Sequence, residues 1–302
     1  MEVTWLPDVE RKPRQIAVGE FDGVHLGHRE VIRGNDTVLT FEPHPRLVVA
    51  PEAAPKLITP LDTKADLIAA LGVSELIVVP FDGSFASQSA QEFIDHVLVE
   101  RVAAERVSVG ENFRFGHRAK GDPALLRAQS AFETRVVELV EVDGEIVSST
   151  HIRGLIVAGD VEGASHFLGS AYQFRGIVMH GDKRGRTLGY PTANLVPPNE
   201  LCYPGHGIYA CRAGVELDGE WRWWPAAVNV GVRPMFVTGR GVLIEAFLIG
   251  FDGDLYDREL RLAFLSRLRG ERRFDSTEAL VDQMALDVEE AQRIVGSVAP
   301  GE

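Results

Sequence analysis

The sequence predicts two domains in series, an α/β domain built on a parallel sheet and then a small antiparallel β-barrel with a C-terminal helix. Three observations carry this expectation. The chain has 302 residues, which suggests about two domains at roughly 150 residues each. In its first half, short β-branched runs alternate with helical stretches, the pattern of parallel strands joined by crossover helices. After about Gly169 the helices thin out, and strand-like runs follow one another across Gly and Pro turns, as in a small barrel. The expected division is therefore 1–168 and 169–302.

In order, Gln15–Gly19 reads as a strand, Gly27–Ile32 as the helix after it, and Thr37–Phe41 as the next strand. Thr59-Pro60 opens a helix running to Gly72, with Thr59 as N-cap and the proline in the first turn. Then come strand Glu75–Pro80, helix Ala90–Val102, strand Arg106–Gly110, helix Asp122–Ser130 and strand Arg135–Val142, with two short helices between His151 and Leu168. In such a sheet, ligands bind beyond the carboxyl ends of the strands. The second half offers strands at Tyr172–Met179, Gly207–Val215, Trp221–Val230, Leu243–Phe251 and Arg258–Phe264. A last helix begins at a capping box, Asp275 with Glu278, and carries Leu280, Met284, Val288, Ala291 and Val295 along one face.

Composition bounds the function. With 45% hydrophobic, 25% charged and 8% aromatic residues, the chain is an ordinary globular protein, not collagen, coiled coil or bulk disorder. Thirty-one Lys and Arg stand against 44 Asp and Glu, a net charge of −13. That argues against nucleic acid as a partner, yet a locally positive pocket for small anions remains open. Cys202 and Cys211 show no zinc-type spacing, which suits a reduced, cytoplasmic chain. Met1–Pro13 has acidic residues and no apolar core, so it does not read as a signal peptide. The longest apolar runs, such as Leu76–Phe81, fall far short of the ~20 residues of a membrane span. Neither a membrane nor a specific protein partner is expected.

Four segments at expected strand ends gather the chemistry of the first half. Gly19-Glu-Phe-Asp-Gly-Val-His-Leu-Gly-His28 joins the first strand to the first helix. Glycines let backbone approach a phosphate closely, and His25 and His28, three apart, face one side of the turn. The plainer alternative is a turn with two capping histidines, and a third is a zinc site with His44 of Thr40-Phe-Glu-Pro-His-Pro45. Gly110-Glu-Asn-Phe-Arg-Phe-Gly116 offers Asn112 to a base or ribose edge, and Ser148-Ser-Thr-His-Ile-Arg153 offers hydroxyls and one Arg to phosphates. In the second half, Gly176–Asn194 is rich in Gly with Lys183, Arg184 and Arg186 interleaved. It suits phosphate wrapping, though a basic surface hairpin fits equally, and it is not a Walker A loop. Thr192 and Asn194 are hard oxygen donors suited to Mg²⁺ on ATP phosphates. Glu245, in the apolar run 242–250, is a candidate general base; the alternative is a carboxylate that simply alternates out to solvent.

Taken together, these segments resemble the bacterial bifunctional riboflavin kinase/FAD synthetase family over nearly the whole chain. The family's GxFDGVHxGH, TFxPHP, GxxFxFG and SSTxIR correspond to residues 19–28, 40–45, 110–116 and 148–153. Its GxRxGRxLGxPTAN is found at Gly181–Asn194, its catalytic Glu at Glu245, and its flavin-side loop at Leu268–Phe274. The resemblance implies a nucleotidyltransferase-type α/β domain followed by a flavokinase-like barrel. It also implies phosphorylation of riboflavin by Mg²⁺–ATP to FMN, then adenylylation of FMN by a second ATP to FAD and pyrophosphate. By this likeness His25 and His28 would be catalytic, with Gly19, Phe21, Asp22, Gly23, His44, Asn112, Ser149, Thr150 and Arg153 holding that ATP. Glu245 would be the kinase base. Gly181, Lys183, Arg186, Gly189, Thr192 and Asn194 would hold Mg²⁺–ATP, with Thr192 and Asn194 on the metal, and Asn229, Arg269, Glu271 and Phe274 would hold flavin.

Three departures stand out. Only residues 33–36 separate the first helix from the second strand, shorter than the family's usual connection, whereas a right-handed crossover needs about ten residues or more. A trimmed element or an omitted stretch would explain that, and two alternatives follow: a kinase with an impaired adenylyltransferase, or a non-catalytic flavin or nucleotide carrier. Arg233-Pro-Met-Phe236 lacks the Thr usual before that Phe, and Glu42 replaces the commoner Asp.

Overall fold

A computed structural model of the chain describes residues 1–180, 189–235 and 239–297. It divides into two compact units, Met1–Ser149 and Thr150–Glu302.

The first unit is built on six strands, β1 (Glu2–Trp5), β2 (Arg14–Val18), β3 (Thr37–Glu42), β4 (Glu75–Pro80), β5 (Ala104–Gly110) and β6 (Glu133–Val137). All pair in parallel, in the order β1-β4-β3-β2-β5-β6. The central strands are almost continuously buried, as a sheet covered on both faces requires. One face carries Ile16, Val18, Leu39, Ile77 and Val107; the other carries Ala17, Val38, Leu76 and Val78. The helices are α1 (Leu26–Ile32), α2 (Pro45–Val49), α3 (Leu61–Ala69), α4 (Gly83–Ser87), α5 (Ala90–Glu92, continued by a wider π-type turn over Phe93–Arg101) and α6 (Pro123–Arg127). Because β3 and β5 flank β2 on opposite sides, the chain reverses direction across the sheet beside β2. A crevice therefore opens at the carboxyl ends of β2 and β5.

The short connection at 33–36 closes the crossover. Gly34 takes a positive φ of 73°, and Asn35 Nδ2 donates to the carbonyls of Val31 and Ile32 at 2.9 and 3.1 Å. Arg135 reaches Arg33 O at 2.6 Å, and Arg106 donates to Gly34 O. Two expectations are corrected here. The helix expected to start at Thr59 begins at Leu61 with Pro60 at its N-cap, because the Thr59 hydroxyl is used elsewhere. The expected strand Arg135–Val142 ends at Val137, and a hairpin of β7 (Glu141–Val142) and β8 (Glu145–Ile146) follows, turning through Asp143 and Gly144 with positive φ.

The second unit begins with α7 (Ser149–Ala158) and α8 (Val161–Leu168) and continues with β9 (Tyr172–Ile177), β10 (Ala193–Leu195), β11 (Gly207–Leu217), β12 (Glu220–Met235), β13 (Gly239–Leu248) and β14 (Glu259–Arg269). These strands form an antiparallel sheet in the order β10-β13-β12-β11-β14-β9. Its edges meet where Met179 N donates to Asn194 O at 2.8 Å, which curls the sheet into a barrel. Val228, Val230, Ile244, Ala246 and Leu248 fill the inside. Alternate residues of the same strands face α9 (Thr277–Ser297), which packs on β11, β12 and β14. The capping box expected from Asp275 does not start this helix; Ser276 Oγ accepts from Ala279 N at 3.1 Å instead. Cys202 and Cys211 are buried, and burial pushes the Cys211 thiol up.

A buried ion pair ties the first sheet together. Arg14, 1% exposed, donates from Nε and Nη2 to the Glu75 carboxylate at 2.7 and 2.9 Å and from Nη1 to Val102 O at 3.0 Å. These hydrogen bonds hold the Glu75 carboxyl below its usual range despite burial. A carboxyl lowered by folding stabilises fully above its unfolded pKa, and that contribution is lost as pH falls through the folded value. Arg14→Met should cost about 3–5 kcal/mol by stranding Glu75. Urea unfolding of the first unit should show that loss near neutral pH and a narrowing gap from wild type in acid.

Candidate active sites

The loop after β2 is shaped by a carboxylate. Asp22, 2% exposed, accepts from the backbone N–H groups of Ile58 and Thr59 at 2.9 and 3.0 Å. Thr59 Oγ1 accepts from Gly23 N at 3.0 Å, and Ser149 Oγ donates to Asp22 O at 2.9 Å. So held, the loop places Phe21, Gly23 and Val24 at positive φ (51°, 90° and 44°), a conformation that surrounding structure must impose on the non-glycine residues. It delivers His25 to the N-cap of α1, where Nδ1 accepts from His28 N at 3.2 Å. The two imidazoles stack with centroids 3.5 Å apart.

This loop forms one wall of a cavity of about 900 Å³. Gly19, Glu20, Phe21, His25, His28, Asn112 and Ser149 line it, with Phe81, Phe85, Phe93, Phe113 and Phe115. The aromatic wall suits a flat ring system and the polar wall suits a polar or charged group. His44 caps α2, its Nδ1 accepting from Arg46 N at 3.1 Å, and Pro45 and Val49 beside it reach the cavity while His44 and Asp22 do not line it. Thr150 and Arg153 belong to the second unit, on α7. Among the described residues no group of three or more His, Cys, Asp and Glu is placed to hold a metal ion.

Burial also perturbs two acids beside the loop. The Glu20 carboxyl is pushed up to about 8, chiefly by desolvation, which Lys64 opposes and Asp22 and Glu42 reinforce. Glu42 is raised for the same reason, again opposed by Lys64.

In the second unit, strand register assembles the site. Glu245 on β13 lies opposite Asn229 of β12 and Asn194 of β10, and Asn229 Nδ2 donates to Glu245 Oε2 at 3.2 Å. Glu245 thus leaves the barrel interior, as alternation requires, but enters a cavity of about 780 Å³ under α9. Thr192, Asn229, Phe247, Arg269, Glu271 and Phe274 line the same space. Asn194 is buried, with Nδ2 donating to Thr192 O at 3.4 Å. Gly189 sits in an exposed turn with φ 85°, whereas Gly181, Lys183, Arg186 and Phe236 lie outside the described residues.

Residues 8–151 match the family model described as FAD synthetase, and residues 168–295 match the one described as riboflavin kinase. Curated bifunctional riboflavin kinase/FMN adenylyltransferases from Bacillus subtilis (38% identical, covering 94% of this chain and 93% of the relative), Pseudomonas fluorescens (35%, 93% and 93%) and Escherichia coli K12 (34%, 94% and 94%) align with nearly the whole chain. The chain belongs to this family. A solved Streptococcus pneumoniae chain, named a macrolide-efflux protein, superposes with a TM-score of 0.84 at 31% identity over 97% of this chain and 99% of its own. The efflux name is that protein's; the likeness here is of fold. No helix among the described residues is long and apolar enough to cross a membrane.

Within this bifunctional family member, Asp287 is a charged cavity residue outside the sequence reading. Asp287 on α9, 6% exposed, takes Arg269 Nε and Nη2 at 3.0 and 2.6 Å and Gln283 Nε2 at 2.8 Å. Its signal was an acid within the apolar stripe between Met284 and Ala291. Arg269, expected on flavin, is thereby clamped to α9 with its guanidinium 5.7 Å from the Phe274 ring.

The last glycine of Gly110–Gly116 closes the first cavity by close approach. Gly116 has φ 70°, and a Cβ there would lie 2.5 Å from Ala90 N. Gly116→Ala should destabilise the first unit by more than about 1 kcal/mol in urea unfolding. At Gly83, also on the cavity wall, a Cβ would meet nothing within 4 Å, and the same substitution should stay within about 0.5 kcal/mol.

Proposed function

We propose that the chain makes FMN and then FAD: residues 169–302 transfer the γ-phosphoryl group of ATP to riboflavin, and residues 1–168 transfer the adenylyl group of a second ATP to FMN, releasing pyrophosphate. The observation that carries this reading is that each unit holds its own cavity, lined by residues within the stretch its family model matches. The impaired-adenylyltransferase alternative drew on residues 33–36, and that connection is pinned by four side-chain hydrogen bonds. The carrier alternative leaves the Glu245–Asn229 pair without a task.

In the kinase cavity, Glu245 takes the proton of the ribityl hydroxyl as that oxygen attacks the γ-phosphorus and ADP departs. Asn229 fixes the carboxylate, and Phe274, Arg269 and Glu271 form the flavin wall. Thr192 and Asn194 would suit Mg²⁺, a hard cation that keeps several waters and takes few protein oxygens: Thr192 lines the cavity, and buried Asn194 lies opposite Glu245 in the strand register. The metal, when bound, would neutralise phosphate charge; Gly181, Lys183, Arg186 and Gly189 are assigned to the same phosphates by their motif. Such transfer is largely positioning and charge stabilisation.

In the first cavity, an FMN phosphate oxygen attacks the α-phosphorus of ATP, the bond to the bridging oxygen breaks, and pyrophosphate leaves without a covalent enzyme intermediate. His25 and His28 donate hydrogen bonds to the charge that builds. Asn112 and Ser149, which line the cavity, hold nucleotide. Gly19, Phe21 and Gly23 form the loop, and Asp22 serves it through the backbone it binds rather than by touching ATP. Two buried cysteines without zinc-type spacing, Cys202 and Cys211, suit work in the cytoplasm.

Separate cavities separate the defects. Glu245→Gln should lower FMN formation by about 10²–10⁴-fold while FAD formation from supplied FMN continues. His28→Ala should do the reverse. Product chromatography on both variants checks this, and a variant that lost both activities together would contradict it.

A further inference from the structure

Glu20 occupies the first of the two variable positions of the loop motif, two residues after the end of β2, and lines the first cavity. Its Oε2 is buried without a hydrogen-bond partner, an arrangement that native interiors rarely leave unused. The charges around it come from every neighbouring element. Lys64 of α3 is buried (5% exposed) and donates to Thr40 Oγ1 at 3.4 Å; Thr40 Oγ1 in turn donates to Glu20 O at 3.0 Å. Asp22 from the same loop and Glu42 from the end of β3 act on Glu20 with the same sign, and Lys64 with the opposite one. His25 and His28 from the start of α1 share the cavity wall. Three carboxyls thus face a single ammonium group. Full ionisation would leave net negative charge beside a cavity read here as taking a polyphosphate, and like charges at that range repel.

We propose that Glu20 is a ligand-contacting group of the adenylyltransferase cavity that works in its neutral form: its carboxylic acid donates a hydrogen bond to a phosphate oxygen of ATP, and its carboxylate repels the same phosphate. This assignment rests on the reading of the first cavity as the site of FAD formation. Burial and its acidic neighbours keep the group protonated to about pH 8, so the neutral form prevails in the neutral range. A neutral carboxylic acid adds a donor at an anion site without adding charge. No bond is made or broken by Glu20 and no proton is transferred; its proton stays on the acid.

The test is the pH dependence of kcat/KM for ATP in FAD formation from FMN, with Mg²⁺ saturating and no riboflavin present, so that the kinase cavity stays idle. That parameter reports groups of the free enzyme. For wild type it should fall about tenfold between pH 7 and pH 9, since affinity scales with the competent, protonated fraction. Glu20→Gln, a permanent neutral donor, should hold its pH 7 value across that range. Glu20→Ala should be lower at pH 7 and equally flat, which keeps the test decisive if the amide packs badly. Overturning results are a Glu20→Gln profile that follows wild type, or a flat wild-type profile. Absence of FAD formation by wild type at pH 7 would instead sink the reading of the cavity.

Discussion

The first site depends on a carboxylate that does not line its cavity. Asp22 binds the backbone of Ile58 and Thr59, and Thr59 answers by binding Gly23 N. Those bonds, with the one from Val24 N to Phe21 O at 3.1 Å, hold Phe21 and Val24 at positive φ, where side chains crowd the backbone. With them, the chain leaves β2, turns sharply, and presents His25 and His28 as a stacked pair at the carboxyl edge of a rigid parallel sheet. The buried Arg14–Glu75 pair steadies the same sheet at the other ends of its strands. A functional loop is thus fixed from outside its own cavity, by Asp22, which reads as a binding residue in the sequence, and by Thr59, which reads as a helix cap.

The second site solves the same problem with register. Antiparallel pairing puts Asn194, Glu245 and Asn229 side by side across β10, β13 and β12, and the period of two sends them to the face away from the barrel core. Alone, that face would be solvent-exposed. Helix α9 covers it, and the Arg269–Asp287 pair, extended through Gln283 to Arg272, fastens the segment bearing Glu271 and Phe274 to that helix. Here the cavity is the gap between a sheet and the helix laid over it, which explains why a general-base candidate can sit on an outward strand position and still be enclosed.

Much of this was legible in the chain. Strands β2 to β5 announce themselves because buried parallel strands need unbroken apolar runs, and the motifs fall at their carboxyl ends because that is where the turns are. Other features were hidden for physical reasons. The edge strand β1, Glu-Val-Thr-Trp, is half polar and carries no strand signal. Thr59 looked like a helix cap, since a hydroxyl before Pro is normally one; only the distant Asp22 claims it. Helices α2 and α4 have five residues each, too few to display a period. Asp287 was masked by the apolar stripe that surrounds it, and Ser276 displaced Asp275 as the cap because both residue types serve equally well. Local chemistry was readable; partners far apart in sequence were not.

The central claim is that one chain carries two working sites whose reactions run in series. The direct measurement is a time course of flavins, separated by chromatography, after purified protein is given riboflavin, ATP and Mg²⁺. The account predicts FMN first, then FAD appearing at its expense. FMN that accumulates with no FAD, or riboflavin left unchanged, would contradict it.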